Sequence, residues 1–156
     1  MKKIIIIVSL FVIFGAVVYY SYNFFTIDTQ YAMRFGNVLC DYNIEQTDEF
    51  FNDTTKIISG NKESTYLECR ENVIHAFREK KFHIYKNSSY GYGDNQFNTG
   101  IQKISIRLMG TYIDETFGEC IVTMKLKQKG MFNYSIESIE SDSELFRYIF
   151  LGEGVK

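Results

Sequence analysis

Between Gly100 and Asp142 the apolar side chains fall on even-numbered positions: Ile104, Ile106 and Leu108, then Cys120, Val122, Met124 and Leu126, then Phe132, Tyr134 and Ile136. The odd positions among them are largely polar: Lys103, Ser105, Arg107, Thr123, Lys125, Lys127, Asn133, Ser135 and Glu137. Alternate residues of a strand face opposite sides, so each run predicts a strand with one buried and one wet face. Breaks near Asp114–Phe117 and at Gly130 separate three runs in series, the pattern of an antiparallel meander. Pairing Ile106 with Met124, Leu108 with Val122, Leu126 with Tyr134 and Met124 with Ile136 keeps every apolar residue on one side, whereas a one-residue slip would turn each set outward. In that register Gly110 faces Cys120, a place for a bulge or bend. A buried sheet face needs a cover, and the segment between Ile27 and Lys81 supplies it.

Helical spacing dominates that segment. Tyr31, Phe35, Val38, Leu39 and Tyr42 recur on one side of a helix over Asp28–Asn43, with Thr26 or Asp28 as its cap. Thr47-Asp48-Glu49 opens a short second helix, a cap followed by acids, which ends at Phe50-Phe51 before Asn52-Asp53. Thr54–Ile58 is β-branched and predicts a short strand, closed by Ser59-Gly60-Asn61. Thr65-x-x-Glu68 predicts a capping box for a third helix, with an apolar stripe of Leu67, Val73, Ile74 and Phe77 and a basic end at Arg78, Lys80 and Lys81. Phe82–Tyr85 predicts another strand, and Asn87–Asn95 reads as a turn-rich loop. Glu144–Leu151 is apolar and fits either a fourth strand or a short packing helix.

The N-terminus follows a different pattern. Met1-Lys2-Lys3 precedes Ile4–Tyr20, a 17-residue run interrupted only by Ser9 and Gly15. At the helical rise it spans about 25 Å, short of a hydrocarbon core of about 30 Å. Tyr19, Tyr20, Tyr22, Phe24 and Phe25 extend it with interface-seeking aromatics. A cleaved signal peptide is the rival reading, but Ala16-Val17-Val18-Tyr19-Tyr20 makes a poor cleavage site and the first cysteine is Cys40. An uncleaved anchor over residues 1–25 is therefore favoured, with the basic start inside and residues 26–156 across the membrane. The expected localisation is a single-pass cell-membrane protein, with secretion after cleavage as the alternative.

Composition narrows the chemistry. The formal charge of −2, with two of the 17 basic residues at Lys2 and Lys3, provides no basic field for nucleic acid. Cys40, Cys69 and Cys120 are an odd number without metal-knuckle or redox spacing, so buried free thiols are favoured over one disulfide plus a free thiol. His75 as a general base would need a carboxylate such as Asp41 or Glu71 in reach, and no spacing supplies one; His83 stands likewise alone. Cys69 and His75, six apart, fall off one helical face. Gly91-Tyr92-Gly93 opens no helix, which argues against a phosphate cradle. No metal or cofactor is expected. Two surfaces remain: a possible pocket lining of Tyr31, Phe35, Tyr112 and Tyr134, equally readable as core, and a basic face of Lys103, Arg107, Lys125 and Lys127 with Lys129 beyond, equally readable as a solvated sheet face offset by Glu137.

The order of these elements, with Thr47–Ile58 ("FFNDTTKII" after a short acid-capped helix) and Tyr66–Phe77 as its carriers, resembles the nuclear transport factor 2-like, cystatin-like superfamily across about residues 27–151. That resemblance implies a cone-shaped α+β roll, three helices packed on a curved antiparallel sheet, behind the transmembrane helix. The superfamily houses isomerases, dehydratases and cyclases as well as non-catalytic assembly domains, so fold alone does not set function. Its catalytic members commonly carry an acid on the first strand; Lys56, Ile57 and Ile58 stand there instead, and Asp53 belongs to the helix end. This departure argues against an isomerase-type proton shuttle. The expectation is a membrane-anchored, extracytoplasmic, non-catalytic binding or assembly domain, of the kind found in secretion and conjugation machines. It would contact the membrane through residues 4–20 and a protein partner or a second copy of itself. A small-molecule or enzymatic pocket, or a secreted soluble protein, is the alternative.

Overall fold

The computed structural model describes residues 2–86, 89–96, 101–111, 117–130 and 133–153. Its elements in chain order are α1 (Lys2–Cys40), α2 (Ile44–Phe50), β1 (Lys56–Ser59), β2 (Lys62–Thr65), α3 (Tyr66–Glu79), β3 (His83–Ile84), β4 (Tyr90–Gln96), β5 (Ile101–Thr111), β6 (Phe117–Gln128), β7 (Tyr134–Glu140) and α4 (Glu144–Phe146), which runs on as a π-helical turn over Arg147–Leu151. One seven-stranded sheet has the order β2-β1-β7-β6-β5-β3, and β4 also pairs with β5. The expected alternation holds: Ile104, Ile106, Leu108, Val122, Met124 and Leu126 are each at most 1 % exposed. Tyr112, Phe132 and the break at 114–116 lie outside the described residues.

The β5–β6 register differs from the expected one by two residues, and the β6–β7 register by two before an irregularity and by three beyond it. Ile106 faces Val122 rather than Met124, Leu108 faces Cys120, and Gly110 faces Gly118. On the other side Leu126 faces Ile136, and an irregularity between Lys125 and Leu126 then brings Met124 opposite Ile139. A slip of two residues leaves every side chain on its own face, so alternation fixes the face and leaves the register open. Gly110 has a different use from the one expected: a Cβ there would collide with the His83 carbonyl, so its absence lets β3 lie close.

The sheet is mixed rather than wholly antiparallel, because β1 runs parallel to β7. The connection between those two strands contains most of the domain, so no hairpin dictates their direction. The predicted loop at Asn87–Asn95 is also corrected: Tyr90–Gln96 is a strand paired with β5. Gly91 and Gly93 take the register positions opposite Ile106 and Ile104, and a Cβ on Gly91 would press on Ala32 of α1. Glycine here is what lets a helix lie on the strand, although in sequence it reads as a turn.

Helices cover the inner face. α1 does not stop and restart near Asp28; it runs on from Lys2 to Cys40, bent between the segments Ile6–Tyr22 and Thr26–Cys40. No single helix among the described residues is long and apolar enough to cross a membrane, whereas that bent pair passes the same test together, as a core helix or signal sequence also can. α2 begins earlier than expected, capped by the Asn43 side chain rather than by Thr47, which is buried and donates to the Asn43 carbonyl at 2.7 Å. The capping box of α3 is present, with Thr65 and Glu68 bonding each other's backbone N–H. Its buried stripe is Tyr66, Cys69, Val73, Ala76 and Phe77, while Leu67 points to solvent at 59 % exposure. The C-terminal run is helical, and Leu145, Phe146, Tyr148, Ile149 and Phe150 join the core. All three cysteines are free, Cys69 and Cys120 buried and Cys40 half-buried.

Candidate functional site

A chain of aromatic rings runs through the interior between sheet and helices. Phe35 stacks on Phe50 at 5.9 Å, Phe50 meets Phe51 edge-on at 4.9 Å, and Phe51 touches both Tyr66 at 5.1 Å and Phe150 at 5.9 Å. Phe146 extends the chain of rings from Phe150 at 4.9 Å. Offset and edge-on contacts of this kind add to the area these rings bury. Phe35, one of the candidate pocket residues, is fully buried in this stack.

Tyr31 and Tyr134 are brought together at the rim. The Tyr31 hydroxyl donates to the Tyr134 carbonyl at 2.9 Å, and both residues line an open cleft of about 230 Å³ with Arg34, Glu49, Phe50, Asn52, Lys129, Asn133, Ser135 and Ile136. Burial pushes the Tyr31 hydroxyl above its ordinary pKa, which keeps it a neutral donor. Arg34 lies over the Phe50 ring, 5.5 Å from its centre. The cleft is smaller than the 300–1,000 Å³ usual for small-molecule pockets. Arg34, Glu49 and Asn52 carried no signal in the sequence, because only the tertiary fold joins the second segment of α1, the end of α2 and the β6–β7 hairpin.

The helix layer is fastened by a second polar group. Arg70 grips Asp48 with both Nε and Nη2, at 2.9 and 2.7 Å, and the Tyr66 hydroxyl donates to Asp48 Oδ1 at 2.8 Å. The Arg70 hydrogen bonds hold the Asp48 carboxyl below the usual carboxylate range. This network ties α2 to α3, and every hydrogen bond of it is made within the protein.

His75 is exposed, with Nδ1 3.8 Å from Glu79 Oε2; that carboxylate already accepts from Tyr148 at 2.5 Å and pairs with Lys81 at 3.3 Å. Asp41 pairs with Lys86 and Glu71 lies beside Arg70, so neither expected partner serves His75. Among the described residues no group of His, Cys, Asp and Glu could hold a metal ion. Ile57 is buried and Lys56 pairs with Glu63 at 2.7 Å, so the first strand presents no acid to the interior.

The outer sheet face carries the basic set. Lys103, Arg107, Lys125 and Lys127 occupy its odd positions, and Lys103 stands directly opposite Lys125. Lys125 pairs with Glu137 at 2.8 Å and Arg107 with Glu119 at 3.6 Å. Toward the other end of that face four large apolar side chains are exposed, Phe117 (61 % exposed), Ile121 (46 %), Tyr90 and Tyr85, with Tyr85 stacked on Phe117 at 6.2 Å and the Arg107–Glu119 pair interleaved among them. Register places Ile121 opposite Arg107, and Arg107 opposite Tyr90. The sequence signal for this cluster was two apolar residues, Phe117 and Ile121, at odd positions of a strand whose odd positions are otherwise mostly polar.

No family model matches the chain, and no curated protein sequence matches it. Solved structures do match in fold. A candidate ketosteroid isomerase from Shewanella frigidimarina superposes with a TM-score of 0.53 at 12% identity, covering 71% of this chain and 90% of its own. A nuclear transport factor 2-like protein of unknown function in nutrient uptake from Rhodospirillum rubrum gives 0.50 at 9% identity, covering 70% and 92%. One of unknown function from Shewanella oneidensis gives 0.50 at 10% identity, covering 68% and 88%. At such identities the likeness concerns fold and leaves function open. With its helices laid on a mixed, mostly antiparallel sheet in that arrangement, the chain has the nuclear transport factor 2-like, cystatin-like α+β fold.

Proposed function

We propose that this protein is a membrane-tethered, extracytoplasmic domain that acts by binding a protein partner rather than by catalysis. The observation that carries this reading is the interior, where rings from Phe35 to Phe146 pack against one another in an unbroken chain. The first strand has Lys56, Ile57 and Ile58 where a proton-shuttling acid would stand, so the likeness to a candidate isomerase brings no matching chemistry. Residues 6–22 are apolar or aromatic but for Ser9, Gly15 and Ser21, and all are exposed, which is the surface a membrane would cover. The basic start at Lys2 and Lys3 sets the N-terminus inside and the folded domain outside.

With rings packed through the interior, the exposed outer-face set of Tyr85, Tyr90, Phe117 and Ile121, interleaved with Arg107 and Glu119, is the surface best suited to a protein contact, since aromatic and arginine side chains are enriched in such interfaces. A photo-crosslinking residue at Phe117 in intact cells is expected to give a discrete protein adduct that the same probe at Leu67, an equally exposed site on α3, does not give. Adducts of equal yield from both sites, or from neither, would remove the reading.

A further inference from the structure

We infer that the rim cleft is a binding site for the phosphodiester headgroup of an anionic phospholipid; this rests on the tethered reading above. The cleft is lined by two cations and one acid, Arg34, Lys129 and Glu49. That leaves one net positive charge, matched to a singly charged phosphodiester. Arg34 presents a forked donor set held over the Phe50 ring. No carboxylate among the described residues pairs with Arg34 or Lys129. Asn52 and Asn133 add amide groups suited to headgroup hydroxyls.

Position selects the lipid. The cleft is built at the end of the domain where α1 enters it, since Tyr31 follows the buried Ile27 by about one turn and bonds to the first residue of β7. A hydrocarbon core takes about 20 helical residues, which from Ile4 ends near residue 23. Tyr31 lies eight residues further, about 12 Å along the axis of a straight helix, and the bend between the segments brings it lower than that above an upright span. The headgroup layer on each side is about 5–8 Å thick. The cleft therefore lies at the outer edge of that layer, within reach of long basic side chains. Lys103, Lys125 and Lys127 lie on the strand ends next to the same hairpin, where anionic headgroups would attract them too.

The test uses the full chain in nanodiscs of phosphatidylcholine alone or mixed with phosphatidylglycerol, with amide hydrogen exchange read at residues 49–52, 129 and 133–135. Wild-type protein is expected to exchange there about five-fold more slowly in the anionic discs, and the Arg34→Gln/Lys129→Gln double variant is expected to exchange equally in both. Equal wild-type exchange in the two discs would overturn the inference while leaving the tether intact, as would slowing that survives in the double variant. Soluble glycerol phosphate added to neutral discs should change nothing; slowing there would mark a site for a free anion instead of a lipid. A chain that does not enter discs at all would overturn the tether and the cleft assignment together.

Discussion

Strands β5 and β6 have two faces that share one backbone and obey opposite rules. On the inner face Ile104, Ile106, Val122 and Met124 are completely buried beneath α1, α3 and the C-terminal turn. On the outer face Arg107, Ile121 and Lys125 are separated from those residues by a single position, and each keeps a part of its surface in water. The inner face is close-packed, so removing atoms there leaves a cavity that the neighbours fill only in part. The outer face is paired through exposed charges, whose net contribution is small. Fold stability therefore resides on one side of the sheet, leaving the other side open to selection for contact.

Three substitutions sharpen that contrast, in falling order of effect. Met124→Ala should destabilise by about 3 kcal/mol in chemical denaturation, the range for a buried methionine without room to collapse; a loss below about 1 kcal/mol would mean the inner face is loosely packed. Asp48→Asn should lose about 1–2 kcal/mol by breaking the Arg70 fork in the helix layer. The pH dependence gives its sign. Asp48 has its folded pKa lowered by Arg70, so its contribution is present above the unfolded value near 3.9 and disappears as pH falls through the folded value. Acid unfolding of wild type below about pH 4 should thus become shallower in Asp48→Asn, and an unchanged acid limb would contradict the assignment. Lys125→Gln should cost under 1 kcal/mol, with the difference vanishing at high salt, because both members of its pair with Glu137 are about one-third exposed.

The same contrast explains what could be read before any coordinates. Facing was legible because period-two alternation from Ile104 to Leu126 permits one orientation only. Register was not, since Ile106 may oppose Val122 or Met124 without turning any residue over. Strand β4 was hidden because its inner positions are Gly91 and Gly93, chosen for the approach of α1 rather than for burial of side chains. At the cleft, the sequence names Tyr31 and Tyr134 together as pocket lining and Lys129 as part of the basic face. Their meeting with Arg34 and Glu49 depends on α1 crossing the β6–β7 hairpin, a contact over 100 residues apart in the chain. Phe35 belongs to the core, and its partners Phe50 and Phe51 show in sequence only as the end of a helix.

The most direct test sets Val122 against Ile121, consecutive residues on opposite faces, with photo-crosslinking from Phe117 in intact cells as the measurement. Val122→Ala should leave the adduct at wild-type yield while lowering stability by about 2 kcal/mol, and Ile121→Ala should abolish the adduct while changing stability by less than about 0.5 kcal/mol. An adduct that survives Ile121→Ala but is lost in a still-folded Val122→Ala would contradict the division of labour between the two faces.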